Sequence, residues 1–175
     1  MDAVDVFSAQ WAAERPGVDT EALEVWGRLK RSAYLFERTL ADAIEDCGLN
    51  MAEFEVLAAL VRHGAPYEMR PTELTHSLII TPGAVTARLA TLERRGLIAR
   101  RADLSDRRVQ LVSLTAKGLH QFEPAFDRVV LACRAVLDEL AGDDDATING
   151  ALRMLMAGID TVRNGDTAEA VTETP

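Results

Sequence analysis

Apolar positions along the 175-residue chain fall mostly in steps of three and four, the spacing of one face of an α-helix. A short helical pattern runs from Val4 to Ala13 and is ended by Arg15-Pro16-Gly17. Asp19 or Thr20 then caps a long helix with Leu23, Trp26, Leu29, Ala33, Phe36, Leu40, Ile44 and Cys47 on one face, stopping at Gly48. Asn50 caps the next, whose stripe is Phe54, Leu57, Ala58 and Val61, before His63-Gly64-Ala65-Pro66 breaks it. Pro71 and the Thr81-Pro82 pair each start a further helix. The first runs through Leu78, and the second runs to Arg95 and is stopped by Gly96.

After Gly96 the period changes. Leu97 to Arg101 and Val109 to Leu114 are two β-like runs flanking the polar tip Asp-Leu-Ser-Asp-Arg-Arg. Thr115 caps a long helix carrying Leu119, Phe122, Phe126, Val129, Cys133, Val136, Leu137 and Leu140, ended near Gly142 to Asp145. A last helix shows Ile148, Leu152, Leu155, Met156, Ile159 and Val162, and residues 165–175 read as a disordered tail. The expected fold is mainly α with a small β-wing. A winged helix-turn-helix over residues 49–115 lies between N-terminal helices (1–48, dimerisation and ligand pocket) and C-terminal dimerisation helices (116–164).

Charge sharpens this outline. Residues 1–68 carry 6 Lys or Arg against 13 Asp or Glu, residues 69–118 carry 9 against 4, and residues 119–175 carry 4 against 11, within a net charge of −9. The acidic ends repel polyphosphate and the basic middle attracts it, which orients an encounter with DNA. Only two lysines occur, Lys30 and Lys117, so arginine position rather than arginine count carries the argument.

On a helical wheel Val85, Leu89 and Leu92 share one face of the second helix, while Gly83, Ala87, Ala90, Thr91 and Arg94 point away. Small residues allow close approach to a groove floor, Thr can bond phosphate or base, and Ala can touch a thymine methyl. Alone this reads equally as an alanine-rich surface helix. Together with the ribbon tip and the charge pattern it indicates DNA. The expected DNA contacts are Thr72, Thr81, Pro82, Gly83, Ala84, Thr86, Ala87, Arg88, Thr91 and Arg94, with Asp106, Arg107 and Arg108 at the tip, where Asp106 holds one guanidinium extended toward the minor groove. The terminal helices, each with a continuous apolar stripe, are expected to intertwine with those of a second copy. The homodimer then sets two reading helices one duplex turn apart, roughly 34 Å, on a pseudo-palindromic operator.

Other classes are less well supported. His63, His76 and His120 are scattered, and no phosphate loop or nucleophile-and-base pattern is present, so an enzyme is not expected, nor a cofactor. Cys47 and Cys133 lack CxxC spacing and read as small helix hydrophobes, and the Asp143-Asp144-Asp145 run reads as a solvated helix start, so no metal site is expected. With no membrane span or export signal, a cytoplasmic location is expected.

The stretches TPGAVTARLATLERRGLI, DRR and LVSLTAKG within residues 71–118 closely resemble the MarR family of bacterial transcriptional regulators. That resemblance implies a homodimeric repressor or activator with a small, often phenolic or anionic, ligand bound between its dimerisation and DNA-binding parts. Family members often have Gly where this chain has Ile79, and Ile tolerates a positive φ badly, so the turn between the two helices is expected to be built differently. The extra N-terminal helix is similar to the urate-responsive and PecS-like branch. Matching motifs places the branch's ligand Trp on Trp11, its acidic relay residue on Glu55, its recognition-helix Arg on Arg88 and its ligand Arg on Arg100. The branch usually has Asp at Glu55, and the longer arm points away from urate itself toward an anionic aromatic effector in general. The wheel sets Arg88 about 60° from the buried stripe, where a charge wants a carboxylate. Plainer roles are a packing anchor for Trp11 and a phosphate contact or surface position for Arg100. On this resemblance the expected function is a ligand-released repressor; the alternatives are an oxidant- or metal-responsive regulator and a ligand-independent DNA-binding protein.

Overall fold

The computed structural model describes residues 2–102, 110–140 and 145–172, with side chains as far as 164. It divides into two compact units, Met1–Ala132 and Cys133–Pro175. The elements are α1 (Ala3–Glu14), α2 (Glu21–Ile44), α3 (Met51–His63), β1 (Glu68–Met69), α4 (Pro71–Leu78), α5 (Pro82–Arg94), β2 (Ile98–Ala102), β3 (Gln110–Leu114), α6 (Ala116–Asp138) and α7 (Asp145–Thr172).

The helix boundaries follow from capping chemistry. Asp2 caps α1 and Asn50 caps α3, each in a reciprocal capping box, with Asp5 and Glu53 reaching back to the cap amide. Thr81 Oγ1 accepts the Ala84 amide at 3.3 Å to open α5. Thr20, not Asp19, is the α2 cap residue and makes no side-chain cap, whereas Asp19 Oδ1 accepts the Glu21 amide at 2.9 Å. α2 ends in a 3₁₀ turn, Glu45–Cys47, closed by Gly48 at φ 66°, and Gly96 (φ 68°) follows α5 in the same left-handed region.

In the first unit one core joins α3, α4, α5, the sheet, the end of α2 and the first half of α6. Ile44, Leu57, Leu60, Leu74, Val85, Leu89, Leu92, Leu97, Ile98 and Val112 are all essentially buried. Phe54 of α3 stacks on Phe122 of α6 with ring centroids 5.4 Å apart. The sheet has three antiparallel strands in the order β1-β3-β2, with Glu68 opposite Ser113 and Arg100 opposite Val112. The third strand goes beyond the expected two-stranded ribbon. β1 is two residues long, too short to leave a period in the sequence.

Two close approaches hold helices to this frame. A Cβ on Gly118 would lie 2.1 Å from the Leu97 carbonyl oxygen, so only glycine lets α6 begin against the chain entering β2. Ahead of the core, Val4 of α1 is buried against Gly27 of α2, and Arg28 of α2 gathers Asp2 (3.1 Å), Glu24 (3.0 Å) and Asp5.

The turn after α4 departs from expectation. Ile79 adopts φ 54°, ψ 41° and caps α4 in the left-handed conformation, so the turn has the geometry a glycine would give and Ile carries the strain, about 1–2 kcal/mol. Its neighbour Ile80 packs against the core, which accounts for the turn holding. In the second unit α7 continues as helix to Thr172, past residue 165 where the tail was expected to lose structure; Ala168 and Ala170 are strong helix formers and no proline interrupts.

Candidate nucleic-acid interface

α4, the Ile79-Ile80 turn and α5 form a helix-turn-helix. α5 is amphipathic in the expected sense: Val85, Leu89 and Leu92 face the core, while Thr81, Pro82, Gly83, Thr86, Ala87 and Arg94 are exposed and Ala84, Ala90 and Thr91 are half-buried. Thr72 lies exposed at the start of α4. The hydroxyls of Thr86 and Thr91 donate back to the Pro82 and Ala87 carbonyls at 3.0 and 3.2 Å, and Arg94 Nη2 donates to Thr91 Oγ1 at 3.1 Å. The outer face is therefore small, hydroxyl-bearing and closed by one exposed guanidinium. Asp106, Arg107 and Arg108 lie outside the described residues.

The basic stretch is less free than its count implies. Arg88 Nη1 donates to Glu55 Oε2 at 2.6 Å. Arg95, the C-cap of α5, donates through Nη1 to Glu53 Oε2 and through Nη2 to the Gly48 carbonyl, both at 2.5 Å. Arg101 pairs with Glu68, and Lys117 donates to the Arg95 carbonyl at 2.7 Å. Arg100 Nε lies 3.0 Å from Glu93 Oε2, an ion pair in which the buried N–H is not aimed at the oxygen and makes no hydrogen bond. Much of the local positive charge fastens α5 to its surroundings. Arg94 is the described cation of α5 that faces outward on a neutral partner.

The comparisons with known proteins agree with this arrangement. The model of the MarR family matches residues 49–109. The transcriptional regulator PecS of Dickeya dadantii is 32% identical over 143 residues, 82% of this chain and 86% of that one. This chain belongs to the MarR family. Among solved structures, Sco3205 of Streptomyces coelicolor, a MarR-family regulator in complex with DNA, aligns with a TM-score of 0.71 at 26% identity, covering 81% of this chain and 89% of that one. BpsR of Bordetella bronchiseptica, whose DNA binding is regulated by 6-hydroxynicotinic acid, aligns with a TM-score of 0.69 at 25% identity over 81% of this chain and 97% of that one. The helix-turn-helix and wing strands are thus those of a MarR-family transcriptional regulator.

For the expected ligand residues of this MarR-family chain the structure gives a divided result. Glu55 and Arg88 meet directly. Trp11 instead lines a cavity of about 200 Å³ between α1 and α2 with Val4, Phe7, Leu23, Glu24 and Trp26, which includes none of Glu55, Arg88 and Arg100. Arg100 is engaged with Glu93. A larger cavity, about 600 Å³, lies between α3 and α6 and is lined by Ala58, Val61, Arg62, Tyr67, Phe122 and Phe126 with Glu123 and Asp127. Sequence reasoning placed Ala58, Val61, Phe122 and Phe126 on helix stripes but did not gather them around a cavity; the loop after α3, which brings Tyr67 in at φ 61°, leaves no periodic signal. Arg62 of this wall also donates to Ser77 Oγ of α4 at 2.7 Å. Cys47 and Cys133 are both half-buried free thiols. Among the described residues no group of three or more His, Cys, Asp or Glu is placed to hold a metal ion, and no helix is long and apolar enough to cross a membrane.

Proposed function

We propose that this regulator acts as a homodimer on a pseudo-palindromic operator, that α5 is its recognition helix, and that a small phenolic or related aromatic effector releases it, making it a repressor. The observation that carries the reading is the division of α5. One face is locked into the core by Val85, Leu89 and Leu92, and the other offers Gly83, Thr86, Ala87 and Arg94 to a groove. Of the remaining expected contacts, Thr72, Thr81, Pro82, Ala84 and Thr91 flank that face, Arg88 is engaged by Glu55 instead, and Asp106, Arg107 and Arg108 belong to the wing tip in this reading.

The homodimer is supported by apolar surface on the terminal helices. Phe7, Trp11, Val25, Trp26 and Leu35 in the first unit, and Met154, Met156 and Val162 in the second, are each about half exposed or more, a pattern that a single copy does not satisfy.

The effector reading rests on α3, which carries both the wall of the larger cavity and Glu55, three residues before Ala58. A ligand seated against the tilted pair of Phe122 and Phe126 rings competes with Ser77 for Arg62, and so loosens α4, and it displaces the turn of α3 that holds Arg88. The wall has one cation against two carboxylates, Glu123 and Asp127. That balance favours a neutral phenol donating its hydroxyl over a carboxylate or urate. Trp11 then reports on the separate α1–α2 cavity rather than clamping the ligand.

The test is fluorescence anisotropy on a duplex from the region upstream of the protein's own coding sequence, titrated across salt and against a panel of phenols, aromatic carboxylates and urate. Specific binding weakens steeply with salt in proportion to phosphates contacted, and a phenol releases the duplex. Salt-independent binding, or release by none of the panel, contradicts the DNA or the effector part respectively.

A further inference from the structure

Ile79 combines two properties that neither the core nor the described interface uses. It holds the left-handed backbone region at φ 54°, where a β-branched residue is an outlier, and its side chain is 92% exposed, the highest value of any large hydrophobic residue described. Ile80 beside it turns inward against the core, so the peptide geometry anchors one isoleucine and projects the other. The strain therefore serves no packing, and glycine or asparagine would close the same turn at lower cost. What the projected side chain does have is position. It lies between exposed His76 on α4 and exposed Thr81, Pro82 and Gly83 at the start of α5, where the chain enters the recognition helix.

We infer that Ile79 is a specificity-determining residue whose side chain makes an apolar contact with a thymine 5-methyl group at the rim of the major groove. The inference rests on α5 being the recognition helix. The major-groove edges of the bases expose one apolar group, the thymine methyl. A β-branched side chain meets it well, because its χ1 is already restricted and little rotamer freedom is lost on contact. Leucine or methionine on a flexible turn would lose more. The left-handed cap supplies the direction, and the branched side chain supplies the stiffness.

The experiment uses the full chain, its Ile79→Gly and Ile79→Asn variants, and a duplex enriched by the native protein from a random-sequence pool. Urea unfolding is measured for all three proteins. Anisotropy titrations then use that duplex and versions with single thymines replaced by deoxyuridine, which lacks the methyl. Both variants are expected to be at least as stable as the native chain yet to bind about 25-fold more weakly, the scale of one apolar contact worth about fivefold lost in each half-site. Removing one particular methyl per half-site should weaken native binding by a similar factor and leave the Ile79→Gly complex unchanged. Equal affinity of native and variant proteins overturns the inference. Weaker variants with the same deoxyuridine sensitivity as the native protein overturn it too, and assign the loss to turn flexibility. A native protein that enriches no duplex overturns the recognition-helix reading itself, before any variant is made.

Discussion

Replacing Gly118 by alanine tests how the wing strands are held to the rest of the first unit. The new Cβ would lie 2.1 Å from the Leu97 carbonyl oxygen and 2.8 Å from Leu114 Cδ1. The leucine can rotate away, but the carbonyl is fixed by accepting the Thr115 amide at 3.1 Å. Restoring ordinary contact requires the first turn of α6 to retreat by at least about 1.3 Å, a movement at which overpacking costs about 1–3 kcal/mol. That movement also stretches the Thr115 amide bond and the 2.8 Å contact of Thr115 Oγ1 with the Gly96 carbonyl, at about 1 kcal/mol each. Alanine returns about 1 kcal/mol through its helix propensity, leaving a net loss of about 2–4 kcal/mol. For a chain of this length the midpoint falls by about 4–16 °C, measured by circular dichroism at matched protein concentration, since oligomers melt concentration-dependently. DNA affinity falls with it, because Leu97 leads directly into β2. A variant that melts within about 1 °C of the native protein would refute the reasoning, since α6 would then yield at no cost.

The Glu55–Arg88 pair, at 2.6 Å with its side chains 44% and 23% exposed, is screened by solvent, and a double-mutant cycle with alanine at both sites should return a coupling of about 0.5–1 kcal/mol; single and double variants that simply add would show that the pair fastens nothing. The docking of α1 should be lost in acid. The Asp2 carboxyl is held below its ordinary range first by the Val4 amide, then by the Asp5 amide and Arg28, and Glu24 first by the Ser8 hydroxyl, then by Arg28. Because both are lowered in the folded chain, their contribution is complete above the ordinary carboxylate value near about pH 4 and disappears as pH falls through the lowered values. Tryptophan emission should shift red over that window while the core stays folded, and Arg28→Ala should show the shifted emission already at neutral pH.

Much of this molecule was legible in its sequence because its signals are local. Capping residues placed the starts of α3, α4 and α5 almost to the residue, and helical spacing separated Val85, Leu89 and Leu92 from the outward face of α5. The same wheel set Arg88 beside the buried stripe, where the structure supplies Glu55. What the sequence hid depends on pairings between distant segments. β1 exists because Glu68 and Met69 happen to lie beside β3. The clamp of Arg95 onto buried Glu53 joins residues 42 positions apart, and it shows that a positive count overstates the charge free to meet DNA. Ile79 was misread for a different reason. Its propensity argues against a left-handed cap, yet the inward pull of Ile80 and the helices on either side fix the turn regardless of which residue occupies it.

The ties on α5 differ enough in strength to explain how the proposed effector would control it. The buried Val85, Leu89 and Leu92 side chains contribute about 1.5–3 kcal/mol each, so no small molecule detaches the helix. At its C-cap Arg95 satisfies Glu53, the one charged side chain buried among the described residues, and parting them would leave a carboxylate without its counter-charge in the interior. That end is pinned. Midway along the helix the Glu55–Arg88 pair is half in water and costs about 1 kcal/mol or less to open. A ligand that prefers the opened pair by that amount changes the DNA affinity of one subunit about fivefold, and that of the proposed homodimer by roughly the square of this, about 25-fold. In the proposed reading control needs no large rearrangement of the fold: a strong tie at one end and a weak one at the middle would let α5 tilt about Arg95, and that tilt would change how Gly83, Thr86 and Ala87 meet the groove.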